Sequence, residues 1–233
     1  TGIPANAPRI ELPANLVDCY LAGKVPRHPI DNLRQDFYQT VCQQVDRLPL
    51  EKRLLSLTAP TGLGKTLAGL SAALRLRQQV SQATGRTPRI IYVLPFTSII
   101  DQNHAVFSNL LTQTGISLDA LLKHHHRSDP LANCCDGKRL TLQDYEKAQN
   151  RVETWEGEIV ITTFVQLYDT LITHHRSDMR RLHRLTGSIL ILDEVQSIPA
   201  NLWQATESLL HFLANAWDTR ILIMTATQPA LLS

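Results

Sequence analysis

The sequence predicts an α/β fold, a three-layer sandwich built on a mainly parallel sheet. Five short apolar runs rich in Ile, Leu and Val recur along the chain, and such runs are typical of strands buried on both faces of a parallel sheet. Longer amphipathic stretches separate them, and alternation of strand and helix favours helices on both faces of the sheet. The predicted strands are Leu54–Leu57, Ile90–Leu94, Ile159–Thr162, Ile189–Leu192 and Ile221–Met224.

Helices are predicted between these strands, at about residues 65–80, 98–112, 164–173 and 200–215. An earlier helix is predicted to begin with Asp31 as its cap and to end near Leu48. Apolar residues recur there every four positions, which indicates one buried helix face.

The remaining segments are predicted to be less regular. Residues 1–31 hold five prolines, which favours an extended N-terminal arm or linker ahead of a main domain over residues 32–233. Residues 113–157 break the alternation of strand and helix. They are predicted to form an insertion with one short strand, Leu118–Leu122, and one helix at about 141–151.

Composition narrows the class of protein. The chain has 233 residues, of which 43% are hydrophobic, enough for one substantial core, and its net charge of +2 indicates no particular partner. No apolar run approaches the roughly 18 residues that a membrane span needs, so no membrane association is expected. No CxxC pair occurs, so disulfides are not expected and a reducing cytoplasm is the expected location. The cysteines are Cys19, Cys42, Cys134 and Cys135.

A phosphate-binding loop is predicted between the first strand and the helix that follows it. Residues 59–66 read Ala-Pro-Thr-Gly-Leu-Gly-Lys-Thr. Closely spaced backbone N–H donors need glycine, here Gly62 and Gly64, and the helix N-terminus faces the bound charge. Lys65 is predicted to reach the β- and γ-phosphates of ATP, and the Thr66 hydroxyl to bind Mg²⁺. The loop residues predicted to bind ATP are Thr61, Gly62, Leu63, Gly64, Lys65 and Thr66.

Two carboxylates end the strand at 189–192. Asp193 and Glu194 follow an apolar run, and acids released at the carboxyl end of a buried strand are typical of a metal site in nucleotide hydrolysis. Asp193 is predicted to hold Mg²⁺, and Glu194 to act as general base on the attacking water. A solvated acidic turn is the alternative, and the phosphate loop elsewhere in the chain argues against it.

A tripeptide of Thr225, Ala226 and Thr227 follows the last predicted strand. One helix and one strand fit between Asp193 and Thr225, so the two hydroxyls are expected beside the acidic pair. There they could couple hydrolysis to movement of a bound strand. A simple strand cap made of two threonines is the alternative.

Four stretches carry a resemblance to the CRISPR-associated type I helicase-nuclease family, within superfamily 2 helicases. They are residues 94–102 (Leu-Pro-Phe-Thr-Ser-Ile-Ile-Asp-Gln), 124–129, 161–167 (Ile-Thr-Thr-Phe-Val-Gln-Leu) and 192–196 (Leu-Asp-Glu-Val-Gln). The last two are the more specific, and Arg-Leu-His-Arg-Leu at 181–185 stands between them in the family's order. The resemblance extends from about residue 32 to residue 230.

The resemblance implies the first of two RecA-like lobes of a cytoplasmic, DNA-stimulated ATPase. Members of the family move 3′ to 5′ on single-stranded DNA and are recruited by a crRNA-guided surveillance complex. Gln35 matches the position of the family's adenine-reading glutamine. The residues that the resemblance assigns to the DNA backbone are Pro95, Thr97, Ser98, Gln102, Thr162, Thr163 and Gln166; Ser128 is a further candidate phosphate donor.

Two departures from the broader pattern bear on function. Gln196 stands where RNA-remodelling helicases have Asp or His, which speaks against those families. The second lobe with its arginine finger, and a nuclease domain built around a His-Asp pair, are not expected within these residues. Weak nucleotide binding and little turnover are therefore expected of the chain alone. The alternatives are another superfamily 2 motor acting on DNA or RNA, and a non-catalytic docking module with a helicase-like fold.

Two clusters keep open interpretations. His124, His125 and His126 could bind a metal, contact a DNA backbone or lie on a plain surface; only His124 and His126 would share a strand face. A basic stretch over residues 174–184 could contact phosphates or form a solvated face.

Overall fold

The computed structural model describes residues 9–26, 28–124, 142–172 and 176–226 of the chain. Their strands form one sheet in the order β1-β6-β5-β2-β4-β3, and every neighbouring pair is parallel. The predicted fold class is therefore confirmed. The strands are β1 (Leu54–Thr58), β2 (Ile90–Leu94), β3 (Leu121–Lys123), β4 (Ile159–Thr163), β5 (Ile189–Asp193) and β6 (Arg220–Thr225).

Helices pack on both faces of this sheet, and within the described residues none is long and apolar enough to cross a membrane. Short 3-10 turns at 118–120, 195–197 and 200–202 join some of them to strands. The helices are α1 (Leu16–Ala22), α2 (Pro29–Asp46), α3 (Lys65–Thr84), α4 (Thr97–Gln113), α5 (Leu142–Glu153), α6 (Phe164–Ile172), α7 (Arg176–Leu185) and α8 (Trp203–Ala216).

The strand β2 shows why the sheet is sandwiched between two hydrophobic cores. All five of its residues are buried, and successive side chains point to opposite faces. Ile90, Tyr92 and Leu94 lie in the core formed with α1 to α4. Ile91 and Val93 lie in the core formed with α5, α6 and α8. The apolar character of the whole run is thus the direct consequence of burial on both faces.

The N-terminal stretch differs from the extended arm that its prolines predict. Residues 16–22 form α1, and Leu12, Leu16, Val17 and Tyr20 are buried in the same core as α3. Within α1, Leu16, Val17 and Tyr20 are spaced by one and three residues and so share one helix face, a pattern that the prolines on either side obscure. The described part of this stretch therefore packs on the lobe, and the position of the domain boundary stays a prediction.

The helix α2 begins two residues earlier than predicted. Pro29 is its first residue, a position where the missing N–H of proline costs nothing. Asp31 does not precede the helix as its cap but lies within its first turn, where its carboxylate accepts a hydrogen bond from the His28 N–H at 3.0 Å. The expectation that Asp31 is the capping residue is wrong in register, although the carboxylate does satisfy an N–H at the helix start.

The predicted insertion contributes one strand to the sheet. Residues 118–120 form a 3-10 turn, and β3 follows at 121–123 as the edge strand beside β4. The predicted helix near 141–151 is α5, and residues 125–141 lie outside the described residues.

Candidate nucleotide-binding site

The predicted phosphate loop joins the end of β1 to the start of α3. Gly62 and Gly64 have φ values of +88° and +82°, in the left-handed region that glycine enters without a steric penalty. A Cβ at either position would meet no atom within 4 Å, so backbone conformation and not crowding accounts for both glycines. The loop therefore turns tightly and leaves its N–H groups and the N-terminus of α3 at the carboxyl edge of the sheet.

Lys65 is the first residue of α3 and is only 7% exposed. Its Nζ donates a hydrogen bond to the Ala59 carbonyl at 2.9 Å and lies 3.9 Å from Oε1 of Glu194. The ammonium group is therefore held between the start of the phosphate loop and the acidic strand end. A cation in this position can pair with a phosphate that enters the loop.

Asp193 is the last residue of β5 and is 5% exposed. Its Oδ1 accepts the Glu194 N–H at 2.9 Å, and its Oδ2 accepts the Tyr92 hydroxyl at 2.8 Å. Burial raises the pKa of Asp193 above its usual value, although the bond from Tyr92 opposes the shift. A buried carboxylate of this kind is the donor that a divalent cation would stabilise.

Glu194 turns the chain away from the sheet with a φ of +54°, a left-handed conformation that is unusual for a residue with a side chain. Its side chain is 30% exposed and accepts a hydrogen bond from the Gln196 amide. The carboxylate is therefore aimed into the cleft beside Lys65 and is accessible to water, as a general base has to be.

Asp193 and the Thr66 hydroxyl together fit a magnesium site. Mg²⁺ is commonly bound by one or two protein oxygens while substrate phosphates and waters complete its shell. Thr66 follows Lys65 in the first turn of α3 and lines the same cleft as Asp193. Within the described residues no group of three His, Cys, Asp or Glu side chains converges, so a cation here would depend on the nucleotide for further ligands.

The cleft that contains these residues has a volume of about 1200 Å³. One wall is the phosphate loop with Asp193 and Glu194, and the other comes from α1, α2 and the segment between them. Gln35 lies on that second wall, as the resemblance implies. Arg34 ties the walls together, because its Nε donates to the Gly62 carbonyl at 2.8 Å. No sequence pattern marked the contribution of residues 18–26 to this wall.

The first predicted DNA-binding element adjoins the nucleotide site. A smaller cleft of about 410 Å³ lies between the start of α4 and the acidic strand end, with Pro95 and Gln102 on one side and Asp193 on the other. Gln102 also lines the larger cleft. Thr97 is half-buried and Ser98 is exposed, so the Ser98 hydroxyl is free to meet a ligand.

The second predicted DNA-binding element, residues 162–166, is held in place by burial and by hydrogen bonds within the protein. Thr162 is fully buried and Thr163 is 6% exposed. The Thr163 hydroxyl accepts the Gln166 N–H at 3.1 Å and so closes the first turn of α6. The Gln166 side chain accepts a hydrogen bond from Arg181 at 2.8 Å. A direct contact between the Thr162 hydroxyl and DNA would thus need the strand end to move. Ser128 lies outside the described residues.

The Thr-Ala-Thr tripeptide begins beside the phosphate loop. Thr225 is buried at the end of β6, opposite Thr58 of β1, and its carbonyl accepts the Ala59 N–H at 3.2 Å. Met224 is the register partner of Asp193 in β5, so the tripeptide starts next to the acidic pair. Ala226 is half-buried, and Thr227 lies outside the described residues. The coupling role stays a prediction.

The histidine cluster at 124–126 and the basic stretch at 174–184 each contain a buried residue. His124 is 8% exposed and packs edge-on against Trp155, with 6.1 Å between the ring centroids. Arg181 is 5% exposed and lies over the same indole at 5.8 Å. Neither residue is therefore part of a solvated face. The neighbouring histidines of both clusters, at 125–126 and 174–175, lie outside the described residues.

Comparison with known proteins agrees with this geometry. The family model described as DEAD/DEAH box helicase matches residues 39–232. The chain belongs to this family. A relative in Haloferax volcanii, named CRISPR-associated nuclease/helicase Cas3, is 37% identical over 183 residues, which are 77% of this chain and 20% of that protein. The resemblance to the CRISPR-associated helicase-nucleases is thereby confirmed.

Two further matches extend the comparison. The crystal structure of T. fusca Cas3-ADP superposes with a TM-score of 0.65 at 20% identity, over 94% of this helicase lobe and 22% of that chain. The probable ATP-dependent RNA helicase Dbp73D of Drosophila melanogaster is 27% identical over 78% of this chain and 24% of its own length. The chain thus spans about a fifth to a quarter of the length of these three proteins.

Proposed function

We propose that this chain is the ATP-binding lobe of an ATP-dependent translocase that moves 3′ to 5′ on single-stranded DNA in CRISPR type I interference. The observation that carries the proposal is the convergence of Lys65, Thr66, Asp193 and Glu194 in one cleft at the carboxyl edge of the sheet. Ligands of parallel α/β sheets bind at that edge. The ADP named with the T. fusca protein supports a nucleotide in the same place.

Each side chain has a distinct part in the proposed hydrolysis. Lys65 pairs with the β- and γ-phosphates, and Thr66 and Asp193 hold the magnesium ion. That ion, when bound, neutralises charge that develops on the phosphates. Glu194 accepts the proton of the attacking water, and its exposed carboxylate beside Lys65 supports this role.

DNA is proposed to lie across the strand ends next to the nucleotide. The strands β2 and β4 are neighbours in register, with Leu94 opposite Thr163, so the elements that follow them leave the sheet side by side. The helices α4 and α6 begin there, and helix N-termini favour phosphate groups. Ser98 and Gln102 are the exposed polar side chains among the predicted contacts of the first element.

The whole protein is proposed to act in the cytoplasm, where a crRNA-guided surveillance complex recruits it. A second helicase lobe would close on the nucleotide from the open side of the cleft. An HD nuclease domain would cut the DNA that the motor delivers. The Haloferax relative is named a nuclease/helicase and is about five times as long as the stretch it shares with this chain, which supports both additions.

An RNA motor is the second candidate, since Dbp73D carries the name of an RNA helicase. Gln196, where RNA-remodelling helicases have Asp or His, speaks against it. Both candidates predict an ATPase, and they differ in the nucleic acid that stimulates it.

Steady-state ATP hydrolysis distinguishes the candidates when the lobe is joined to a second helicase lobe. We expect single-stranded DNA, and not RNA of the same sequence, to stimulate hydrolysis. We expect Lys65→Ala and Glu194→Gln each to lower kcat at least about 100-fold, because each removes a group that acts on the transferring phosphate or on water. Lys52→Ala, an exposed lysine outside the cleft, is the matched control and is expected to be silent. Stimulation by RNA alone would favour the second candidate, and silence with both nucleic acids would favour a docking module.

A further inference from the structure

Tyr92 is a buried polar residue that no sequence motif marks. It lies beside β5, the strand that ends in Asp193. It sits at the centre of β2, is fully buried, and pairs with Ile191 of β5. Its ring packs edge-on against Phe107 of α4, with 5.4 Å between centroids and 75° between planes. The sheet thus fixes the backbone and α4 fixes the ring, so the hydroxyl has one well-defined position.

The Tyr92 hydroxyl donates a hydrogen bond to Oδ2 of Asp193 at 2.8 Å. Asp193 is the predicted magnesium ligand at the end of β5. Because the hydroxyl has a single proton, this bond also fixes the direction in which its O–H points.

This bond, together with the Glu194 N–H, sets the orientation of Asp193 before any cation arrives. Asp193 has one oxygen on the Glu194 N–H and the other on Tyr92, so the plane of its carboxylate is fixed. Each carboxylate oxygen still keeps a second lone pair. Groups that orient metal ligands in this way commonly change metal affinity by about 10- to 100-fold.

We propose that Tyr92 is a positioning residue that holds the Asp193 carboxylate in orientation for the divalent cation of a bound nucleotide. Tyr92 touches neither nucleotide nor cation in this proposal and acts only through Asp193. The inference rests on the proposed function, because it needs a nucleotide site in the cleft.

The test is the gain in nucleotide affinity that Mg²⁺ confers on the chain. The Kd of a fluorescent ADP analogue is measured in EDTA and in excess Mg²⁺, and the ratio of the two values is compared between wild type and Tyr92→Phe. We expect Tyr92→Phe to lower this ratio about tenfold or more, with the Kd in EDTA within about twofold of wild type. A ratio unchanged within twofold overturns the proposal, and so does an equal loss of affinity in both buffers.

Two control variants separate the hydroxyl from general packing. Tyr168→Phe removes another tyrosine hydroxyl, one bonded to Thr206 at 2.7 Å on α8, and is expected to leave the ratio unchanged. Leu111→Ala loosens the same core but keeps both the Tyr92 hydroxyl and its packing against Phe107, so a fall in the ratio with this variant as large as with Tyr92→Phe contradicts a role for the hydroxyl. A wild-type chain that binds no nucleotide in either buffer overturns the proposed function as well. A wild type that binds nucleotide equally in both buffers overturns the role of Tyr92 together with the magnesium site, and leaves nucleotide binding in the cleft standing.

Discussion

At the scale of single residues, Gly157 occupies a position where a side chain has no room. A Cβ built there would lie 2.8 Å from the Cβ of Leu122 and 3.0 Å from the carbonyl oxygen of Ile159. Neither atom is the end of a flexible side chain, so the backbone of β3 or β4 would have to move. The glycine therefore allows the edge strand β3 to approach the start of β4.

We expect Gly157→Ala to lower the free energy of unfolding by about 1–3 kcal/mol, the usual cost of an overpacked site. Urea unfolding followed by circular dichroism measures it. Gly23→Ala is the matched control, since its Cβ would meet only the Tyr20 carbonyl at 3.9 Å, and we expect a change within about 0.5 kcal/mol. Equal effects of the two substitutions would show that close packing at Gly157 is not the cause.

The residues of the nucleotide site differ in how far sequence could predict them. Lys65 and Asp193 were predictable because glycine spacing and a strand that ends in acids are local patterns, and both line the cleft. Tyr92 was not, because it reads as one more apolar residue of a buried strand. Its hydroxyl meets Asp193 only through the pairing of β2 with β5, which no local pattern encodes.

At the scale of elements, a buried carboxylate joins three parts of the chain. Glu158, just before β4, forms ion pairs with Arg77 of α3 at 2.7 Å and with Arg9 of the N-terminal stretch at 2.6 Å. Burial would raise the pKa of Glu158, but the bond from Arg9 and the charges of Arg77 and Arg9 outweigh it and hold the pKa below its usual value. A carboxyl with a lowered pKa stabilises the fold above the pKa of the unfolded chain, about 4.3.

We expect Glu158→Gln to lower the free energy of unfolding at pH 7 by about 3 kcal/mol, because it leaves two arginines without their buried partner. The difference from wild type is expected to shrink as pH falls below about 4.3, because the unfolded chain then takes up a proton at Glu158 that the folded chain does not, and to vanish once the folded carboxyl is protonated as well. Urea unfolding at pH 7 and at pH 3.5 measures both values. Glu156→Gln is the control, since the Glu156 side chain is exposed and its pair with Arg184 is 3.6 Å long; its cost is expected to stay below about 1 kcal/mol. A pH-independent loss at Glu158 would contradict the ionic origin.

The elements that sequence analysis missed have weak or masked helical patterns. The helix α1 is flanked by prolines, although its buried Leu16, Val17 and Tyr20 have helical spacing. The helix α7 is dominated by charged residues, and Arg181 is buried in place of an apolar residue, over the indole of Trp155. An arginine that packs through its stem and its planar head is not recognised as a core residue by hydrophobic periodicity.

At the scale of the whole molecule, the nucleotide site is assembled from segments far apart in sequence. The phosphate loop, the acidic pair and Gln35 on the α2 wall meet only because β1, β6 and β5 are neighbours and α2 packs beside α3. The side of the site that faces solvent is open. Thr61, Gly62 and Gly64 are exposed, and among the described residues that line the cleft the one arginine is Arg34, whose Nε is held by the Gly62 carbonyl.

Because the cleft is open on one side, we expect this lobe alone to bind ATP but to hydrolyse it slowly. We expect the chain alone to bind ATP but to hydrolyse it at least about 1000-fold more slowly than the same lobe joined to a second one, since an arginine supplied to the transferring phosphate contributes about 10³ to 10⁵ in kcat. The test is to measure ATP binding and single-stranded-DNA-stimulated phosphate release on both proteins. The Glu194→Gln variant of each protein gives the background from contaminating ATPases. Turnover by the chain alone within tenfold of the two-lobed protein would mean that Lys65 and the residues around it suffice, and that closure by a second lobe contributes to DNA movement rather than to the chemical step.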